Sequence, residues 1–375
     1  MSGLAGYAFL EGIERGAERL RLRLAAAAFS GPSHSVEVHA EPDFGVVTAS
    51  RFAGGNAASR SYGGIQQDGR YVLACEGYIV NLPELAGTAA AQAKQRERAL
   101  IDLYLRGGDT VFAKLNGGFN LVLWDRAEKR LALALSKLGT RRLYHLETGK
   151  GLVFGSEVKA LPLLSGVPLE PGVRGVRRYA QGGVGCARRG SHSVSVPELL
   201  PAEREPAAPD LAPLTEELDW LLGRAVERLT GVHPDHAVLL GSNVDSDVGS
   251  ALIAAYVRRL EGRVRTIPWE SPAGALPLRS RIRAASRLAR TFLDGTGSCR
   301  GFDPRRIWIG SALAQAMGAE ALYPFLDDDV AFFFSSSVPD ELKTGEGTRR
   351  LLQALLRRHP PFPDQERMPD DPCGW

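Results

Sequence analysis

Cysteine, methionine and aromatic residues are scarce in this 375-residue chain: four Cys, three Met and an aromatic share of 7%. Cys75, Cys186, Cys299 and Cys373 form no C-x-x-C pair and no closely spaced framework, which excludes a disulfide-stapled secreted fold and a cysteine-built metal site. They read as packed thiols. Long apolar runs are missing too, with nothing approaching the roughly 20 residues that span a bilayer. The apolar run at 3–10 is too short for a secretion signal and meets Glu11 instead of a small-residue cleavage site. The expected location is therefore cytoplasmic, with no membrane partner. An excess of one charge is also absent: 46 Lys and Arg face 43 Asp and Glu, a net of +3 with both signs interspersed. No basic stripe points to nucleic acid.

The remaining composition, 44% hydrophobic and 24% charged with 42 Gly and 23 Pro, is that of a globular protein long enough for two cores. Short runs rich in β-branched and aromatic residues at 44–48, 71–74, 119–124 and 152–154 predict strands separated by Gly-containing turns. Helices are predicted over 10–29 and 96–106, the second with Ala99, Leu100, Leu103 and Tyr104 on one face. Strands interrupted by a helix pair suit an α+β sandwich over 1–165. Residues 166–196, rich in Gly and Arg, read as irregular and 197–213 as a linker, leaving 214–375 as the second domain. There Thr215 is placed to cap a helix with Glu216 and Glu217 in its first turn. Leu218, Leu221, Leu222, Ala225 and Leu229 line its apolar stripe. A strand at 236–240, a polar turn at 241–250, a helix at 251–260 and a parallel strand at 263–269 follow. Strand, Gly-bearing loop and helix in succession aim backbone N–H groups at an anion. Helices at 278–292, 311–317 and 348–358 complete the reading.

Seven segments appear in a fixed order: GYIVNLPEL (77–85), LNGGFNLVLWD (115–125), LGTRRLYH (138–145), FGSEVKALP (154–162), AVLLGSNVDSD (237–247), PFLDDDVAFFFSSSVPDELK (324–343) and GTRRLLQALL (347–356). In this order they resemble the asparagine synthetase family. The resemblance implies an α+β N-terminal domain of the Ntn-hydrolase type, as in class II glutamine amidotransferases. An α/β adenine-nucleotide-hydrolase-like domain with a parallel sheet, of the ATP-pyrophosphatase kind, is implied to follow. The implied chemistry is adenylation of a carboxylate by ATP and Mg²⁺, departure of pyrophosphate, and attack by an amine to give an amide.

Carried over position by position, the resemblance makes Ser2 the N-terminal nucleophile once Met1 is removed, where the family has Cys. A hydroxyl needs stronger activation than a thiol near neutral pH. Arg51 matches the arginine that grips the glutamine α-carboxylate. The family's Asn-Gly oxyanion pair falls on Glu76 and Gly77, which exchanges an amide donor for a carboxylate that only accepts. Losing one such donor costs about 3 kcal/mol of transition-state stabilisation. The acid that holds the substrate amine falls near Arg96, a reversal of charge. In the second half Gly241, Ser242, Asn243, Asp245 and Ser246 take the pyrophosphate-loop positions, with Asp245 as the magnesium ligand and Asp247 as an added negative charge. The next acidic motif shrinks to GTGSCR at 295–300, with Cys299 and Arg300 at carboxylate positions. Leu322 replaces an arginine, and Arg349 stands where the family has its catalytic lysine, keeping the charge without the tunable pKa. Lys343 reads as a solvated surface residue.

The expectation is an asparagine-synthetase-like protein that has lost glutamine hydrolysis and takes its amine from another source. A similar pattern occurs in β-lactam synthetases and some lasso-peptide cyclases. Its substrate would then be a small-molecule or peptide carboxylate. The competing expectations are a specialised amide ligase or cyclase of a biosynthetic pathway using a non-glutamine amine, a pseudoenzyme that binds a homologous or pathway protein, and an amidohydrolase that uses Ser2.

Overall fold

The computed structural model describes residues 3–9, 17–29, 35–50, 63–87, 96–137, 141–149, 151–167, 176–178, 183–189, 191–195, 210–232, 238–240, 244–261, 266–268, 322–342 and 345–359. Two compact units divide the chain, Met1–Leu199 with Pro304–Ala321 and Leu200–Asp303 with Leu322–Trp375. Among the described residues no helix is long and apolar enough to cross a membrane.

The first unit is built on two six-stranded antiparallel sheets. One contains β1 (Gly3–Ala8), β2 (Ser35–Ala40), β3 (Phe44–Ser50), β8 (Tyr144–Thr148), β9 (Gly151–Gly155) and β10 (Val176–Arg178), in the order β10-β8-β9-β1-β3-β2. The other contains β4 (Gly63–Gln67), β5 (Tyr71–Ile79), β6 (Gly117–Asp125), β7 (Arg130–Leu135), β11 (Val184–Arg188) and β12 (Ser191–Ser195), in the order β12-β11-β7-β6-β5-β4. Alternation along the strands sends one set of apolar residues to each face. Phe44, Val46, Leu152 and Phe154 of the first sheet meet Val72, Val122, Trp124, Leu131 and Leu133 of the second. Phe44 stacks on the fully buried Trp124 at a centroid distance of 5.2 Å.

Helices close the outer faces. On the first sheet, Leu22 and Ala25 of α1 (Glu18–Ala27) and Leu161 and Leu164 of α4 (Ala160–Ser165) cover Tyr7, Val47 and Val153. On the second, Leu82 of α2 (Leu82–Ala86) and Leu100 and Leu103 of α3 (Arg96–Gly107) cover Leu73, Leu121 and Leu123. The α+β sandwich is thus four-layered, helices outside and sheets within. The predicted face of α3 is the buried one, with Tyr104 packed against it.

Four local readings are corrected. Residues 176–195, expected to be irregular, contribute β10 to one sheet and the β11–β12 hairpin to the other. The polar sequences of β10 and β12 hid them, because these are the edge strands of their sheets, while β11 lies between β7 and β12 and is mostly buried. The helix predicted over 10–29 is observed over Glu18–Ala27, residues 10–16 lying outside the described set.

Ion pairs fix the strand connections. Asp125, 4% exposed, receives the Arg70 guanidinium through Nη2 at 2.7 Å and Nε at 3.0 Å. Its Oδ1 also accepts from the backbone N–H of Ala127 at 2.9 Å, which sets the β6–β7 turn. At the far edge of the sandwich, the backbone N–H of Ile65 in β4 donates to Glu37 Oε2 of β2 at 2.8 Å.

The second unit contains α5 (Leu211–Val232), β13 (Val238–Leu240), α6 (Val244–Glu261), β14 (Thr266–Pro268), α7 (Asp328–Ser336) and α8 (Gly345–Leu356). β13 and β14 pair in parallel, so β13, α6 and β14 form a strand-helix-strand unit. The predicted stripe of α5 is buried and packs with Leu252, Tyr256, Phe333, Leu351 and Leu355. The start of α5 is the third correction: it begins at Leu211, four residues before the expected cap. Pro213 sits in the first turn, where its missing N–H has no helical partner to lose. Asp210 accepts from the Ala212 N–H at 3.0 Å, while Thr215 is buried and donates to the Leu211 carbonyl. The polar turn expected over 241–250 likewise gives way to helix from Val244. The helices predicted at 278–292 and 311–317 lie outside the described residues. In α7 the capping Asp327 accepts from the Asp329 N–H at 3.0 Å and is held by Arg228 at 3.2 Å.

Candidate functional site

Strand β5 delivers Glu76 and Gly77 to one point, opposite Asn120 and Phe119 of β6. Glu76 is 2% exposed, a position that a carboxylate tolerates only with partners. Arg141 Nη1 donates to its Oε1 at 2.9 Å, and Asn120 Nδ2 donates to its Oε2 at 3.2 Å. Asn120 also donates to the Arg142 carbonyl at 2.9 Å, tying the pair to the stretch that leads into β8. The side chains of Arg141 and Glu76 are 6% and 3% exposed, so this is a closed ion pair.

Gly77 has φ of +95°, and a Cβ there would lie 2.0 Å from the Gly118 carbonyl oxygen. Only glycine allows β5 and β6 to approach this closely. The backbone half of the expected oxyanion pair therefore keeps its glycine, while the side-chain half has become an anion with its own donors.

Arg96 opens α3 and is buried. Its Nη2 donates to Glu97 Oε1 at 2.7 Å, so the reversed charge is offset by its chain neighbour. Glu97 in turn lies against Gly64 of β4, whose added Cβ would stand 3.1 Å from Glu97 Oε1. Cys75, fully buried, reports on all four charges. Burial pushes its thiol up to about 12, Arg96 and Arg141 pull it down, and Glu97 and Glu76 push it up. Among the described residues, two cations and two anions thus share one region of the second sheet. Such a set can hold strands and helix in register, but Glu76 as an ionised acceptor offers nothing to a developing oxyanion.

The other expected site residues are distributed as follows. Ser2, Arg51, Gly241, Ser242, Asn243 and Lys343 lie outside the described residues. Asp245 and Ser246 fall in the first turn of α6, immediately after the β13 loop. Arg349 is half-buried on α8, beside Thr348, whose hydroxyl donates to the Leu342 carbonyl at 2.9 Å. Sequence reasoning did not single out Arg141, Asn120 or Glu97. The available signal was the arginine pair inside LGTRRLYH and the charged start of an otherwise apolar α3 face.

Residues 1–207 match the family model described as the glutamine amidotransferase domain. The chain belongs to this family. Its antiparallel α+β sandwich agrees with the α+β N-terminal domain that the ordered motifs imply. A 96-residue stretch is 28% identical to asparagine synthetase [glutamine-hydrolyzing] 3 of Bacillus subtilis (strain 168), covering 24% of this chain. That stretch spans 16% of the relative's length. Among solved structures, the glutamine phosphoribosylpyrophosphate amidotransferase from B. subtilis complexed with ADP and GMP aligns with a TM-score of 0.39 and 14% identity, over 74% of this chain and 70% of that one. A structure described as the allosteric regulatory enzyme of purine biosynthesis aligns with a TM-score of 0.40 and 13% identity over the same shares.

Proposed function

We propose that this amidotransferase-like protein is an asparagine-synthetase-type, ATP-dependent amide-forming protein in which the N-terminal domain no longer hydrolyses glutamine and serves as scaffold. The observation that carries this reading is the buried Arg141–Glu76–Asn120 set at the expected oxyanion position. An acyl-transfer site needs donors aimed at developing negative charge, and here a permanent negative charge consumes the donors instead. Arg96, already engaged with Glu97, removes the acid expected to hold the substrate amine. The amine is then supplied by a source other than glutamine.

In the second unit, the parallel strand-helix-strand arrangement supports a role for Asp245 and Ser246 at the first turn of α6 in holding Mg²⁺ and pyrophosphate. Arg349 would stabilise charge developing during adenylation. ATP and Mg²⁺ supply activation of the carboxylate when bound.

The test has two arms. The full-length protein, given glutamine, is expected to release no more glutamate than Ser2→Ala; Ser2-dependent release above that background overturns the scaffold reading. Titration with Mg²⁺ and a non-hydrolysable ATP analogue is expected to show binding that Asp245→Ala abolishes, with nucleotide at 100 times its Kd stabilising the fold by about 2.7 kcal/mol. No binding at millimolar nucleotide would remove the amide-forming assignment and leave a pseudoenzyme that acts through a protein partner.

A further inference from the structure

The flank of the sandwich farthest from the Glu37–Ile65 contact gathers three metal-ligating side chains from strands of different sheets. His145 and Glu147 are two residues apart on β8 and so share a face. Their ladder partners on β9 are Phe154 and Leu152, both in the core between the sheets, so that face is the inner one. On the opposite sheet His192 of β12 pairs with Ala187 of β11, a member of the same core. The register of two independent sheets therefore brings His145, Glu147 and His192 to one place. None of the three belongs to the glutaminase-like positions or to the strand-helix-strand unit.

The distances are those of a ligand set a small rotation away from closure. His192 Nδ1 is 2.5 Å from Glu147 Oε1, His145 Nε2 is 3.9 Å from the same oxygen, and the ligand atoms of all three residues lie within 4.8 Å of one another. The two imidazoles meet edge to face at 4.8 Å between centroids. Around a four-coordinate zinc-like ion, bonds of about 2.0–2.2 Å put ligand atoms roughly 3.3–3.6 Å apart. Opening the His192–Glu147 contact by about 1 Å and closing the pair of rings by a similar amount reaches that spacing. Both imidazoles are nearly enclosed, at 5% and 9% side-chain exposure, while Glu147 at 55% leaves the cluster open to solvent. That opening is where a water ligand and the entering ion would pass.

We propose that His145, Glu147 and His192 form a binding site for a divalent first-row transition ion of the zinc class, which clasps β8 of one sheet to β12 of the other. Two imidazoles and one carboxylate suit zinc and cobalt over the all-oxygen shells of magnesium and calcium. The charge opposing an added cation is Arg177, which pairs with His145 across β10 and acts on both His145 and Glu147. Glu147 supplies the compensating negative charge.

The experiment uses untagged full-length protein titrated with Co²⁺ and followed by visible absorption, then by Zn²⁺ displacement. One equivalent should bind with the d–d bands of nitrogen and oxygen ligation and no thiolate charge-transfer band, and Zn²⁺ should displace it and raise Tm. Glu147→Gln, at the solvent-facing side of the cluster, and His192→Ala, on the opposite sheet, should each weaken binding by more than the roughly 10–100-fold that follows loss of an outer-shell partner. His39→Ala, whose imidazole contacts Glu41 elsewhere in the same unit, should leave binding unchanged. Absence of binding up to millimolar metal, a thiolate band, or equal affinity in wild type, His192→Ala and Glu147→Gln would each overturn the site and reduce the cluster to a hydrogen-bonded contact between strands.

Discussion

Arg141→Met withdraws the guanidinium from Glu76 while keeping an unbranched side chain of similar reach. Breaking a buried ion pair from one side costs about 3–5 kcal/mol, because the remaining charge stays desolvated. Asn120 continues to donate to Glu76 Oε2, so the low end of about 3 kcal/mol is the expected loss. With a urea m-value of about 2 kcal/mol/M for a unit of this size, the midpoint should fall by about 1.5 M. Two units share the chain, so the readout must be local: hydrogen exchange of peptides spanning 71–79 and 117–125, measured across the urea series. The double variant Glu76→Gln with Arg141→Met replaces both charges and should recover at least half of the loss. A shift below about 0.5 M for Arg141→Met, or a double variant no better than the single, would refute the closed ion pair and with it the claim that Glu76 has become a structural group.

Gly77→Ala should abolish soluble expression or lower stability by more than 3 kcal/mol, an order-of-magnitude figure for a backbone clash added to strain. Gly87→Ala, at φ +90° with nothing within 4 Å, should cost only the conformational strain of about 1–3 kcal/mol; melting curves of the two variants compare them. Acid should destabilise the first unit through Asp125 and Glu41. Burial pushes both carboxyls upward, but hydrogen bonds outweigh it: from Arg70, Glu128 N–H and Ala127 N–H at Asp125, and from His39 and Arg126 at Glu41. Because both folded values lie below the ordinary 3.8 and 4.5, their stabilisation is complete above that range and is lost as pH falls through the folded values; Asp125→Asn should flatten the low-pH limb of a Tm-against-pH curve. Alkylation followed by peptide mass spectrometry should label Cys186 before Cys75, whose thiol at about 12 and complete burial keep it inert until β5 unfolds.

Elements with a strong apolar signature could be read from the sequence before any coordinates. The α5 stripe from Leu218 to Leu229 and the α3 face at Ala99, Leu100 and Leu103 are buried as periodicity demands. The central strands around Val72, Val122 and Phe154 declare themselves by β-branched and aromatic content. Edge strands do not: SHSVS of β12 and VRR of β10 carry no alternating apolar pattern, and only their ladder partners make them strands. The start of α5 escaped because Pro213 resembles a linker residue while being harmless in a first turn. At the candidate site, Glu76 and Arg96 were visible as charges in the wrong place. Their compensation was not, since Arg141 lies 65 residues from Glu76 and the pairing exists only once β5, β6 and the approach to β8 have assembled. Glu97 was hidden for the opposite reason, as an acid next to an arginine at a helix start is ordinary on any surface.

The contact between Glu37 and Ile65 bears on how this protein avoids its own copies. β2 and β4 are terminal strands of their sheets, and an outward N–H on a terminal strand is a template for a strand from another molecule. Ile65 spends that N–H on a carboxylate from the facing sheet. An incoming strand would have to displace a charged acceptor before gaining its first rung. The sandwich can therefore keep open edges, with no barrel closure, and still discourage edge-to-edge aggregation during expression and refolding.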